Sequence, residues 1–378
     1  MNGMTGDDLG DHGDHGDLGA LGDLAELKQF VLLHARALGL EPETAAQVRD
    51  RIEHDDGRAG SGSWVGEWSA EAERRISAGD LPGAISRYLL ASFPYPRDAA
   101  RQGARKSALS VFDAWRQAVP AVERLTVETP DGVFHAWARG LDRDRPKPVL
   151  VVTGGIVSVK EQWAPFLDLA AALGAAAVIT EMPGVGENTL TYTRDSHRMY
   201  GAVLDAVADR ADSTHAVLVA LSFSGHLALR QAAVDERIRG VVTVGAPVAR
   251  FFDDASWRPV VPEVTVGAVT HHAGLGGVDR AGLFATLADW GLTPQELEAL
   301  RIPVAYVRSL RDEVIPNEEA ELLRQHVAGL RLADFDDVHG SPGHIDEVRE
   351  WMAAAVADML GTVARSGLTL GTLQEVNR

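Results

Sequence analysis

Cysteine is absent from the 378-residue chain. That excludes disulfides, thiolate nucleophiles and thiolate-bound zinc, and it fits a cytoplasmic protein. No apolar run approaches membrane-spanning length, and no basic stretch followed by an apolar core opens the chain, so neither a spanning helix nor a signal peptide is expected. Positive charge is in deficit: 36 Lys and Arg against 54 Asp and Glu give a net charge of -18. This argues against nucleic acid or an anionic membrane as partner. Glycine-rich loops occur, but none has the spacing of a dinucleotide fingerprint or the lysine pattern of a phosphate loop, and no cofactor is implied.

Hydrophobic residues make up 46% of the chain, enough for a large core in one α/β domain with an appendage. Residues 1–19 are rich in Gly, Asp and His and have too few apolar groups to repay ordering, so a disordered tail is expected. His12 and His15 lie among aspartates there, where a solvated linker is a better reading than a metal site. Residues 20–120 read as helical. Leu24, Leu27, Phe30, Val31, His34 and Leu38 follow three-four spacing, and further helices are expected after Pro42, from Trp64, from Leu81 and from about Arg97. This region is expected to cover or frame a site.

From 121 to 365 strands alternate with helices, after a hairpin around Pro130-Asp131-Gly132. The expected fold is a mainly parallel sheet of about eight strands covered on both faces, with its site at the carboxyl ends of the strands. The alternation breaks over 248–302, read as an irregular insert except for a capping box at Thr293 to Glu296. Residues 366–378 are expected to form a second tail.

The stretch Val217 to Arg230 runs from apolar strand through small polar residues into an Ala/Leu-rich helix, the setting of a nucleophile elbow. Centring it on Ser222 places Ala220 and Ser224 at the positions that must be small; centring it on Ser224 would put bulky His226 there. A serine hydroxyl needs a base and a carboxylate to orient that base. Asp312 follows the strand at Val304 and is the expected acid, with Glu313 as the near alternative. His339, on a Gly-flanked loop after the last strand, is the expected base, and His344 is the alternative. With no third ligand group near these histidines, no metal site is expected. Oxyanion donors are expected from the amide of Phe223 and, in the loop Gly154-Gly155-Ile156, from Ile156. Gly155 borders the same space. Ser158 and Glu161 are read as a capping box, and Met182 to Glu187 as a turn in the pocket wall.

Gly154-Gly155-Ile156 with Ser158, Lys160 and Glu161, then Pro183-Gly184-Val185-Gly186-Glu187, Leu221 to Gly225, and Asp312 to Pro316 together resemble the FrsA-like branch of the α/β-hydrolase superfamily. The resemblance covers about Leu81 to Leu360. It implies an α/β-hydrolase fold, a triad of Ser222, Asp312 and His339, and a small hydrophobic ester as substrate, from secondary metabolism. It also implies two alternatives on the same residues, carbon-carbon hydrolysis and acyl elimination in polyketide tailoring, and it suggests a homodimer through the helical region. In the carbon-carbon hydrolases an acidic residue after the strand before the insert can touch substrate, which points to Asp253 or Asp254. Ala220 and Ser224 stand where that family usually has glycine, which leaves room for a non-catalytic binding protein as a further reading.

Overall fold

The computed structural model describes residues 24–119 and 121–361. The tails expected at 1–19 and 366–378 lie outside the described residues. Five helices come first: α1 (Leu24–Ala37), α2 (Pro42–Arg51), α3 (Trp64–Ser77), α4 (Leu81–Ala91) and α5 (Ala99–Ala118). Side-chain caps start three of them. Ser63, Asp80 and Asp98 accept hydrogen bonds from the amides of Gly66, Gly83 and Arg101, satisfying N–H groups that the helix itself leaves free.

The alternating part then runs β1 (Glu123–Thr129), β2 (Gly132–Arg139), β3 (Pro148–Thr153), α6 (Pro165–Ala172), β4 (Ala176–Thr180), α7 (Met199–Val207), β5 (Asp212–Leu221), α8 (Phe223–Ala232) and β6 (Ile238–Val244). The insert contributes α9 (Arg250–Asp253), α10 (Glu263–His272), α11 (Arg280–Leu287) and α12 (Pro294–Glu298). Last come β7 (Val304–Ser309), α13 (Glu318–His326), β8 (Leu330–Phe335) and α14 (Ile345–Met359). The eight strands form one sheet in the order β1-β2-β4-β3-β5-β6-β7-β8. β1 pairs antiparallel with β2 and β2 with β4; every other pairing is parallel. The central strands are apolar on both faces because helices cover both.

Alternation along β5 divides the core. Leu218 and Ala220 face one layer with α7, α8, α13 and the insert. Val217 and Val219 face the other, shared by α6, α14 and α1–α5. The N-terminal helices are therefore packed continuously with the sheet. The insert departs from its expected irregularity. Pro259, Pro262, Gly274 and Gly277 break it into short pieces, and α10 is buried on most of its surface, so it carries little of the polar-apolar contrast that reveals a helix in sequence.

Candidate active site

β5 ends at Leu221, and Ser222 turns the chain into α8 with φ 56° and ψ -127°, a left-handed region that non-glycine residues rarely occupy. Its neighbours hold it there. The Ser222 N–H donates to the Val244 carbonyl at 2.8 Å, and the Gly225 N–H donates to the Ser222 carbonyl at 2.8 Å. Gly225 is required by proximity, since a Cβ would lie 2.2 Å from Thr243 Oγ1 and 2.5 Å from the Ala246 Cβ. Ser224, fully buried, lies within hydrogen-bonding distance of the carbonyls of Thr153, 3.0 Å, and Leu221, 2.9 Å. The hydroxyl at this usually glycine position thus ties the ends of β3 and β5 together.

Three residues distant in sequence meet at this edge. Ser222 Oγ lies 2.9 Å from His339 Nε2, and His339 Nδ1 lies 2.8 Å and 3.0 Å from the two oxygens of Asp312. The carboxylate fixes the proton on Nδ1, which leaves Nε2 as an acceptor for the serine hydroxyl. Asp312 is itself held by the amides of Val314 and Ile315, at 2.9 Å and 2.8 Å. The His339 backbone N–H donates to Glu313 Oε2 at 2.9 Å, so the neighbouring acid positions the base rather than contacting its ring. Burial pushes the His339 pKa down, but the charge and hydrogen bond of Asp312, with the charge of Glu313, outweigh it and hold it above the ordinary 6.5. Gly245, after β6, has φ 57°, and a Cβ there would sit 2.8 Å from His339 Cε1. Nothing in the sequence marked it beyond its place after a strand.

Ser222 and His339 open into a cleft between α1, the loop after β3, and α14. Ile156 and Phe223 line it, as does Gly155, where a Cβ would come within 3.1 Å of the Ser222 Cβ. The backbone N–H groups of Ile156 and Phe223 have no acceptor among the described residues. Most of the remaining lining is apolar, including Phe30, Leu33, Trp163, Phe166, Val348 and Met352.

Several expected site residues lie elsewhere. Asp253 is exposed and pairs with Arg250, and Asp254 bonds Ser256 within its own turn; neither reaches the cleft. His344 bonds Glu347 at 2.9 Å at the start of α14 and does not line the cleft, so it is not the imidazole at Ser222. Ser158 and Glu161 do not form the expected capping box. Gln162 takes that role, accepting the Val159 N–H at 2.7 Å.

Glu161 is instead part of a buried charge cluster. Arg105 from α5 donates to Glu161 at 2.7 Å and Glu181 at 3.0 Å; Lys160 Nζ lies 3.0 Å from Glu161, 3.3 Å from Glu181 and 2.7 Å from Glu187. Trp137 Nε1 donates to Glu161 at 2.9 Å. Glu181 also accepts the amides of Lys160 and Glu187, at 3.2 Å and 2.9 Å, joining the segments that follow β3 and β4. From the other side His272, at the end of α10, places Nε2 2.7 Å from the Ile156 carbonyl and Nδ1 3.0 Å from the Gly184 carbonyl. Burial lowers its pKa to about 4. The turn at Met182 to Glu187 is therefore a structural clamp as well as a wall. Among the described residues no cluster of His, Asp and Glu has the arrangement of a metal site, and no helix is long and apolar enough to cross a membrane.

The model of the FrsA-like esterase family matches residues 60–353. Esterase FrsA of Serratia proteamaculans (strain 568) is 25% identical over 199 residues, which are 51% of this chain and 47% of that protein, so the chain matches about half the length of that relative. Among solved structures, AbyA5 wild type is 48% identical with a TM-score of 0.86, covering 94% of this chain and 99% of the other. A second AbyA5 structure is 47% identical with a TM-score of 0.80, covering 87% and 97%. The 2,6-dihydroxy-pseudo-oxynicotine hydrolase, at 19% identity and a TM-score of 0.69 over 89% of this chain and 98% of its own, shares the fold.

Proposed function

The chain belongs to the FrsA-like esterase family of α/β-hydrolases, and on that premise we propose that it is a serine esterase acting on an apolar, uncharged ester. The observation that carries this reading is the 2.9 Å contact between Ser222 Oγ and His339 Nε2, made in a cleft that also holds the two unpartnered amides. Ser222 Oγ attacks the ester carbonyl carbon while its proton passes to His339 Nε2. The imidazolium is stabilised by Asp312. Negative charge on the carbonyl oxygen is received by the N–H groups of Ile156 and Phe223, each contributing about 3 kcal/mol to lowering the barrier. Collapse breaks the ester bond and the alcohol leaves with the proton from His339. Water then gives a proton to His339 and attacks the acyl-serine, and the acid is released as Ser222 regains its hydrogen.

The apolar lining supports a hydrophobic substrate. The charged residues on the cleft wall, Glu313 and Arg349, are opposite in sign, and Glu313 accepts the His339 amide, so the lining offers no net positive charge to draw an anionic substrate. The acids that pointed to carbon-carbon cleavage, Asp253 and Asp254, lie outside the cleft, which favours the ester. Ser222→Ala should abolish turnover of a p-nitrophenyl acyl ester and labelling by a fluorophosphonate. Undiminished labelling of Ser222→Ala would remove Ser222 from the scheme.

A further inference from the structure

Two polar side chains on the cleft wall have hydrogen-bonding groups that no described residue uses. His34, on α1, has no hydrogen bond from either ring nitrogen among the described residues, and its ring lies against Phe93 with centroids 4.7 Å apart. Gln162, after β3, commits Oε1 to the Val159 amide at 2.7 Å, and its Nε2 has no acceptor among the described residues. Neither side chain has its free nitrogens shut in without a partner. Both residues line the catalytic cleft and also a small hollow adjoining it, so both stand where the two spaces meet. Their surroundings there, Leu38, Ile156 and Val157, are apolar. One comes from the N-terminal helices and the other from the segment that follows the oxyanion loop.

We propose that His34 and Gln162 form a polar subsite that hydrogen-bonds a neutral oxygen, a ketone or hydroxyl, carried along the apolar chain of the substrate. Burial and the nearby His339 push the His34 pKa down to about 4, so the ring is neutral at pH 7 and offers one N–H and one lone pair. The carboxamide offers N–H donors only. Neither supplies a charge for a carboxylate, whereas a ketone oxygen can accept from both. A plain alkyl chain would leave these groups without partners once water is displaced, and that penalty is the source of selectivity.

The subsite rests on the reading of this cleft as the place where substrate binds, and the test separates the two. Ser222→Ala blocks turnover while leaving the wall of the cleft in place. Calorimetric titration of that protein with methyl decanoate and with methyl oxodecanoates, the ketone placed at successive chain positions, should show at least one ketone ester bound about fivefold or more tightly than the parent. That margin should vanish when His34→Phe or Gln162→Glu is added. The second change keeps the oxygen that caps Val159 and removes the amide donor. Unchanged affinity for the parent ester in either variant shows that the cleft has survived. Equal affinities across the panel, absent binding included, or a margin that persists in both variants overturns the subsite. Fluorophosphonate labelling of the unaltered protein reports on Ser222 alone, so failure of the esterase reading would appear there and not in the titration.

Discussion

In the proposed mechanism His339 acts as a base only while Nε2 is unprotonated, so its raised pKa would set the acid limb of activity. Activity should fall as pH drops through a value above the ordinary 6.5 of histidine. Part of that elevation comes from the charge of Glu313. Glu313→Gln keeps an oxygen for the His339 amide and removes the charge, so the acid limb of kcat/KM should move to lower pH with the plateau retained. Full pH profiles of both proteins check this, and a limb that stays put or rises would assign the elevation to Asp312 alone. At this scale the sequence was informative where chemistry demands a residue type in a fixed order. The meeting of Ser222, Asp312 and His339 at one sheet edge could be anticipated from strand ends and turn residues. Gly245 could not, because its need for a missing Cβ arises from the close approach of a loop far along the chain. The sequence preferred His339 to His344 but could not show that the two, five positions apart, are turned to different surroundings by the Gly340 and Ser341 turn.

Between the elements, the cluster of Arg105, Lys160, Glu161, Glu181 and Glu187 couples α5 to the loops after β3 and β4. Burial favours the neutral form of Glu161, yet Arg105 and Lys160 hold its pKa below the usual carboxylate range; for Glu181 burial prevails and its pKa is raised. Removing Arg105 leaves these carboxylates, both without side-chain exposure, facing one lysine. Arg105→Met should therefore cost about 3 to 5 kcal/mol of stability, the usual effect of breaking a buried ion pair from one side. Urea unfolding measures it, and a loss below about 1 kcal/mol would show that the carboxylates neutralise or rehydrate without strain. The cluster was hidden because Glu161 has the spacing of a capping residue and local pattern cannot show that Arg105, distant in sequence, reaches it. The insert was obscured for a related reason: α10 is packed between the sheet layer and the loop after β3, so its apolar residues do not fall on one stripe.

For the whole molecule, the expectation of a mainly parallel sheet of about eight strands agrees with the observed one, because continuous apolar strands between helices leave few other arrangements. What the sequence presents as a helical segment ahead of an α/β segment is packed as one body. Trp64, Trp68 and Phe112 of the helices belong to the same buried cluster as Val152, Val219 and Val242 of the sheet, and the Arg105 ion pairs reinforce that contact. The two regions should accordingly unfold in one transition. Tryptophan fluorescence, far-ultraviolet circular dichroism and calorimetry should give coincident midpoints, whereas an early, separate loss of helix would mean that α1–α5 form an independent unit. The cleft is shared in the same way, since α1 supplies one wall and the loop after β3 and α14 supply others.

The most direct measurement is of the covalent intermediate itself. Rapid mixing with a p-nitrophenyl acyl ester, acid quenching and mass spectrometry of the digested protein should find the acyl group on the peptide containing Ser222, formed in step with a burst of nitrophenol and absent from Ser222→Ala. Turnover of the ester with no acyl adduct on Ser222 at any time, or an adduct on another residue that persists in Ser222→Ala, would contradict a mechanism in which that serine carries the acyl group.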